Sequence, residues 1–76
     1  MKLRDNLAAN MRRIREERGW SQEEFAAEVG IHRTYATMLE SRKRSPTIDV
    51  IERMMDALKV DVGDLLGSPP KRKSPR

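Results

Sequence analysis

The sequence predicts an all-α fold, a compact five-helix bundle, and three observations carry that expectation. Apolar residues recur at intervals of three and four, as in Leu3, Leu7, Met11 and Ile14, with no competing alternation of strand length. Residues that favour helix starts, Ser21, Thr47 and Asp61, each stand just ahead of such a stretch. Residues that stop helices, Gly19, Gly30 and Pro46, fall between the stretches.

The first segment runs from about Arg4 to Arg18, with Leu3, Leu7, Met11 and Ile14 on one face and Gly19 ending it. The second opens at Ser21. Glu24 three residues on completes a capping box, while Trp20 and Phe25 occupy the two positions of a hydrophobic staple. Phe25, Ala26 and Val29 form its inner face, and Gly30 closes it in the left-handed conformation that glycine adopts freely. The third covers about 32–41 and turns Ile31, Ala36 and Leu39 inward. Pro46 forbids its continuation and Thr47 caps the fourth, about Ile48 to Leu58, with Ile48, Ile51, Met54, Met55 and Leu58 on or near the buried side. Asp61 can cap a last short turn containing Val62, Leu65 and Leu66. Residues 1–66 are therefore expected to fold as one domain. GSPPKRKSPR, residues 67–76, has three prolines and no apolar anchor, and is expected to be a disordered basic tail.

Seventy-six residues allow one small domain, and a chain of that size buries only about 60% of its unfolded surface, so self-association is a natural supplement. There is no cysteine, hence neither a disulfide framework nor a thiolate metal site, and one histidine is too few for zinc. No apolar run approaches the roughly 18–20 residues that a membrane span requires, so a soluble cytoplasmic chain is the default expectation. No cofactor motif and no small-molecule ligand site is evident.

The formal net charge is +4, but its placement says more than its sum. Twelve of the sixteen Lys and Arg and all twelve Asp and Glu fall within residues 1–66, so that stretch is neutral and the excess belongs to Lys71, Arg72, Lys73 and Arg76. Inside the neutral stretch the signs separate. Residues 33–44 carry +3, from Arg33, Arg42, Lys43 and Arg44 against Glu40, and residues 45–66 carry −3. A basic local segment can present a directional footprint to phosphate even on a neutral domain.

Two short helices joined by a tight glycine turn make a helix-turn-helix, whose second helix can protrude into a major groove about 12 Å wide. With Ala36 and Leu39 facing the core, the opposite face of that helix holds Thr34, Thr37, Met38 and Ser41; Arg33 flanks it and His32 sits at the cap.

The run Ser21-Gln22-Glu23-Glu24-Phe25-Ala26, then Val29-Gly30-Ile31, Leu39-Glu40 and Arg44-Ser45-Pro46 closely resembles the Cro/lambda-repressor (XRE-like) helix-turn-helix family. The resemblance extends back to Arg12, Ile14, Arg15 and Gly19 and forward through Ile51, Leu58, Val60 and Leu65, covering roughly residues 7–66. It implies a lambda-repressor-like DNA-binding domain in which the start of the third helix reads base edges, and so points to His32, Arg33, Thr34 and Met38, with Thr37 adjacent. Chemistry divides the roles. Arg33 can donate two hydrogen bonds to guanine, and the methyls of Thr34 and Met38 can meet that of thymine. Each also has a plainer reading: Arg33 as a phosphate contact, Met38 as an exposed apolar or interface residue, His32 as a cap.

Phosphate contacts are expected beside that helix. Gln22 lies at the start of the second helix, where free amides favour an anion, and the resemblance implies a backbone-contacting glutamine there. Ser21, Tyr35 and Ser41 flank the same surface, and Arg42, Lys43 and Arg44 form a basic loop that positions without specifying. The resemblance further implies an ion pair between Arg15 and Glu40 that locks the third helix to the first. Three positions depart from the family pattern. Arg42 and Lys59 stand where glycine is frequent, and Met55 where alanine is. Arg42 either loosens the exit from the third helix or adds a phosphate contact. Met55 either enlarges the core or lies at a subunit contact.

The resulting expectation is a transcriptional regulator of repressor or controller type, which occupies operator DNA as a homodimer on half-sites about 34–36 Å apart. Met55, Val60, Val62, Leu65 and Leu66 are the candidate interface, having more apolar surface than a thin core absorbs. The alternative is an antitoxin-like interaction module that also binds its own promoter. An enzyme is not expected, since no nucleophile-base set, paired carboxylates or phosphate-cradling glycine loop stands out. The tail is either an arm adding counterion release or a merely solubilising end.

Overall fold

The computed structural model describes residues 2–70. In it five α-helices follow in order: α1 (Lys2–Glu17), α2 (Gln22–Val29), α3 (Arg33–Glu40), α4 (Ile48–Leu58) and α5 (Val62–Leu66). No described helix is long and apolar enough to cross a membrane. Of the expected basic tail, residues 67–76, positions 71–76 lie outside the described residues.

The start signals work as the sequence implies. Ser21 Oγ accepts the Glu24 N–H at 3.0 Å while Glu24 Oε1 accepts the Ser21 N–H at 2.8 Å, closing the capping box. The staple forms too, Trp20 meeting Phe25 edge-on with ring centroids 6.3 Å apart. Thr47 Oγ1 accepts the Val50 N–H at 3.1 Å, and the Asp61 N–H donates to Asp64 at 2.9 Å. Gly30 turns the chain with φ 85°, and both its own N–H and that of Ile31 bond to Ala26 O.

α1 packs on α5 and α3, α2 on α3 and α4, and α4 on α5. Their shared core is Leu7, Met11, Ile14, Phe25, Val29, Leu39, Ile51, Met54, Leu58 and Leu65. Three expectations about individual apolar residues are corrected. Leu3, placed on the apolar face of the first helix, and Ile48, read as on or near the buried side, are 55% and 77% exposed. Each lies in the first turns of its helix, beyond the neighbouring elements that cover later turns. Leu65, read as interface, is fully buried and is spent in the core, so it offers no surface to a partner.

The exit from α3 stays sharp despite Arg42, which corrects the idea that this residue loosens it. Arg42 takes φ 66°, and the Lys43 N–H reaches back to Met38 O at 2.8 Å. Lys59 does the same at the end of α4, with φ 61° and a bond from the Val60 N–H to Met55 O at 3.2 Å. Both are glycine-type helix ends built on long side chains.

The end of α5 is fixed by two asparagines on α1. The Asn10 side chain, 1% exposed, donates to Leu65 O at 2.8 Å and Gly67 O at 2.9 Å. Asn6, one turn earlier, donates to Leu66 O at 3.0 Å. The bonds from α1 thus reach Gly67, which allows the chain to pass 2.6 Å from Gly63 O at the point where a Cβ would sit.

Candidate nucleic-acid interface

α3 is anchored on one side and bare on the other. Ala36 and Leu39 are buried, while Arg33, Thr34 and Thr37 are exposed on the far face and Met38 is half-buried beside them. His32 holds the N-cap, its ring Nδ1 accepting the Thr34 N–H at 3.1 Å. The ring of this exposed residue is thereby used as a cap through Nδ1. Arg33 is 63% exposed with Glu23 of α2 at 3.9 Å, a contact loose enough for the guanidinium to be redirected. The expected base-reading set thus shares one surface, with Met38 the least accessible of the five.

What holds α3 at this angle is a buried carboxylate. The Glu40 side chain is 3% exposed and receives Arg15 Nε at 2.9 Å and Nη2 at 3.2 Å, a two-pronged pair from α1. Gln22 Nε2 donates to the same carboxylate at 3.0 Å, and Arg12 stands 3.8 Å away. Burial pushes the Glu40 carboxyl up, but the hydrogen bonds from Arg15 and Gln22 and the charges of Arg15 and Arg12 outweigh it, so it lies below its ordinary value. The hydrogen bond to Glu40 correspondingly raises Arg15. Arg15 also donates to Trp20 O at 3.1 Å, tying the α1–α2 turn into the same knot.

Gln22 has a second duty that its sequence position does not reveal. Its Oε1 accepts the Thr37 hydroxyl at 3.2 Å, so one amide joins α2 to the exposed face of α3. Ser41 caps the far end, its hydroxyl donating to Met38 O at 3.3 Å. In the following loop Arg42 lies 3.8 Å from Asp5. Arg44 stacks over the ring of Tyr35 with 5.6 Å to the centroid. Ser21, Lys43 and these two arginines are exposed, and Gln22 and Tyr35 are half-buried at the edge of the same surface. A cleft of about 630 Å³ runs beside it, where Arg12, Arg13 and Arg42 alternate with Asp5, Glu16 and Glu40.

Sequence reasoning missed Arg12 as a member of the Glu40 knot and Asn10 as a buried clamp. Arg12 was detectable as the arginine three residues before Arg15, on the same helical face. Of the expected interface residues, Val62 is 48% exposed, and Met55, Val60 and Leu66 are half-buried. Leu66 also lines an apolar groove of about 220 Å³ with Leu3, Ile48 and Ile51.

Known proteins are similar to this chain in sequence and in fold. Residues 11–65 match the helix-turn-helix family model HTH_3. A Neisseria meningitidis serogroup B protein, described as a hypothetical transcription factor, is 43% identical over 70 residues. That match covers 92% of this chain and 66% of the relative, so the chain spans just under two thirds of its length. The control protein C.SmaI of Serratia marcescens is 35% identical over 66 residues, covering 87% of this chain and 79% of that one. A solved structure of a hypothetical transcription factor from Neisseria superposes with a TM-score of 0.81 at 43% identity, over 88% of this chain and 77% of the other. A Vibrio cholerae HTH_3 transcriptional regulator superposes at 0.76 with 21% identity, over 83% and 35% of the two chains, and is a likeness of fold alone.

Proposed function

This chain belongs to the helix-turn-helix (HTH_3) family, and on that premise we propose that it is a sequence-specific transcription regulator, of repressor or controller type, that occupies an operator as a homodimer. The family is one of DNA-binding regulators rather than enzymes. The observation that carries the reading is the division of α3 into a face bolted down through Leu39 and Glu40 and an opposite face presenting Arg33, Thr34 and Thr37. A helix held rigidly with its polar face bare is what direct readout in a major groove requires.

In this reading Arg33, Thr34, Thr37 and Met38 meet base edges, and His32 contributes Nε2, the ring nitrogen its cap does not use. Ser21, Gln22, Tyr35, Ser41, Arg42, Lys43 and Arg44 meet phosphates on either side and set the register. Arg44 arrives already ordered by the Tyr35 ring, which lowers the entropy lost on docking. Met55, Val60, Val62 and Leu66 form the subunit contact. Similarity to a control protein supports the controller type. The basic residues after Pro70 act as an arm; removing residues 71–76, which spares Gly67 and its bond from Asn10, lowers the salt slope of binding by about 0.9 per lost phosphate contact.

Selection of bound duplexes from a random library tests this directly. The expected product is a motif of two inverted half-sites with centres about 34–36 Å or a multiple apart, bound by two chains in sedimentation. Recovery of unenriched sequence, or one chain per symmetric site at saturation, overturns it.

A further inference from the structure

The hydrogen-bond polarity around Glu40 runs one way and ends on the recognition surface. Arg15 is permanently protonated and grips both carboxylate oxygens, Oε2 from Nε at 2.9 Å and Oε1 from Nη2 at 3.2 Å. Glu40 so held is an acceptor only. The group that Gln22 turns towards Oε1 at 3.0 Å is therefore its NH2, which leaves its carbonyl oxygen on the other side. That oxygen faces the Thr37 hydroxyl at 3.2 Å and can only accept, so Thr37 donates its single hydroxyl hydrogen inward. Nothing in this chain of bonds can be reversed without placing an amide oxygen against a carboxylate.

A threonine free to rotate its hydroxyl serves as donor or acceptor and reads base edges without preference. Thr37 is not free. We infer that the relay Arg15–Glu40–Gln22–Thr37 makes Thr37 a fixed acceptor on the exposed face of α3. It selects a base with an exocyclic amine, adenine through N6 or cytosine through N4, on the strand it faces, and disfavours guanine O6 and thymine O4 there. Gln22 is then a positioning residue for specificity as well as a candidate phosphate contact, because its second amide hydrogen remains available. The inference rests on the operator-binding reading above and deepens it by naming the chemistry of one base position.

The test repeats the random-duplex selection with the full chain and with Thr37→Val, Thr37→Ser and Gln22→Leu, each checked for folding by circular dichroism. For the unaltered chain one motif column is expected to hold A or C on one strand. Thr37→Val, equal in shape but without the hydroxyl, flattens that column by roughly 2- to 12-fold, the range of one net hydrogen bond. Thr37→Ser retains the preference. Gln22→Leu frees the hydroxyl to donate, so guanine and thymine enter that column while the others keep their preferences; a merely structural role would weaken binding to all sequences alike. A Thr37→Val motif identical to that of the unaltered chain overturns the inference, as does a Thr37-dependent column that mixes A or C with G or T on the same strand. So does a Gln22→Leu variant that folds and keeps the column strict. Absence of any motif for the unaltered chain removes the operator reading and this inference together, whereas a clear motif without a Thr37-dependent column removes this inference alone.

Discussion

Replacing Glu40 with alanine should unlock α3 and destabilise the whole domain. The substitution strips Arg15 of both its carboxylate bonds, 2.9 and 3.2 Å long, and among the described residues leaves it the bond to Trp20 O. It also orphans the amide that Gln22 turns inward. Removing one member of a buried ion pair costs about 3–5 kcal/mol. The Arg15 side chain is 16% exposed and recovers some hydration, which places the loss near the bottom of that range, at about 3 kcal/mol. A domain this size has only about 4–11 kcal/mol in total, so the midpoint of thermal unfolding should fall by roughly 12–24 °C. Circular dichroism melts and urea titrations read the effect, and DNA binding is then measured at a temperature where the variant is folded. A melting point within a few degrees of the unaltered protein, together with lost binding, would refute the account. Glu40 would then act at the DNA and not as a lock.

Acid gives an independent check on the same group. Because the folded carboxyl lies below its ordinary value, its stabilisation is complete above the unfolded pKa of about 4.3 and disappears as pH falls through the lower folded value. Glu40→Gln has no such charge to lose, so its urea midpoint should fall less between neutral pH and about pH 3 than that of the unaltered chain; parallel curves would contradict the assignment. Lys59→Gly should raise stability by about 0.5–1 kcal/mol, since glycine adopts the left-handed conformation without the side-chain penalty, and a lowered urea midpoint would count against it. Arg42→Gly should stabilise less, because it gives up the exposed contact to Asp5, while reducing the salt slope of binding by about 0.9 if Arg42 touches phosphate. Asn10→Leu should cost about 2–4 kcal/mol by leaving Leu65 O and Gly67 O without donors, and a urea midpoint unchanged from the parent excludes that role.

The helices were legible in the sequence because their signals are local. Ser21 and Glu24, Trp20 and Phe25, Gly30, Pro46 and Thr47 each act over five residues or fewer, and the structure uses each as expected. Leu3 and Ile48 misled for the opposite reason. Periodicity places them on the right stripe, but whether anything covers the first turn of a helix depends on elements far along the chain. Asn10 was silent on the same ground. On a helix of 16 residues a polar residue in the apolar stripe has no meaning until the carbonyls of residues 65 and 67 arrive beside it.

The interface divides along the same line, and the division bears on how specificity is built. Which residues share the exposed face of α3 follows from 100° per residue and needs no structure. What those residues can do there does not follow. Thr37 reads from sequence as one of the candidate base-reading residues with no donor or acceptor preference, and Gln22 as a phosphate ligand. Only the shared carboxylate of Glu40, 18 residues from Gln22 along the chain, turns the amide and through it the hydroxyl. A buried ion pair contributes uncertainly to stability, since its desolvation cost can cancel its attraction. Its stronger effect here is on direction: Arg15 fixes which way every hydrogen in the relay points. The same pair that sets the angle of α3 therefore also sets the donor–acceptor character of a side chain on its far face. A hydrophobic replacement of Arg15 and Glu40 that restored the stability in full would still leave the Thr37 hydroxyl free to donate or accept.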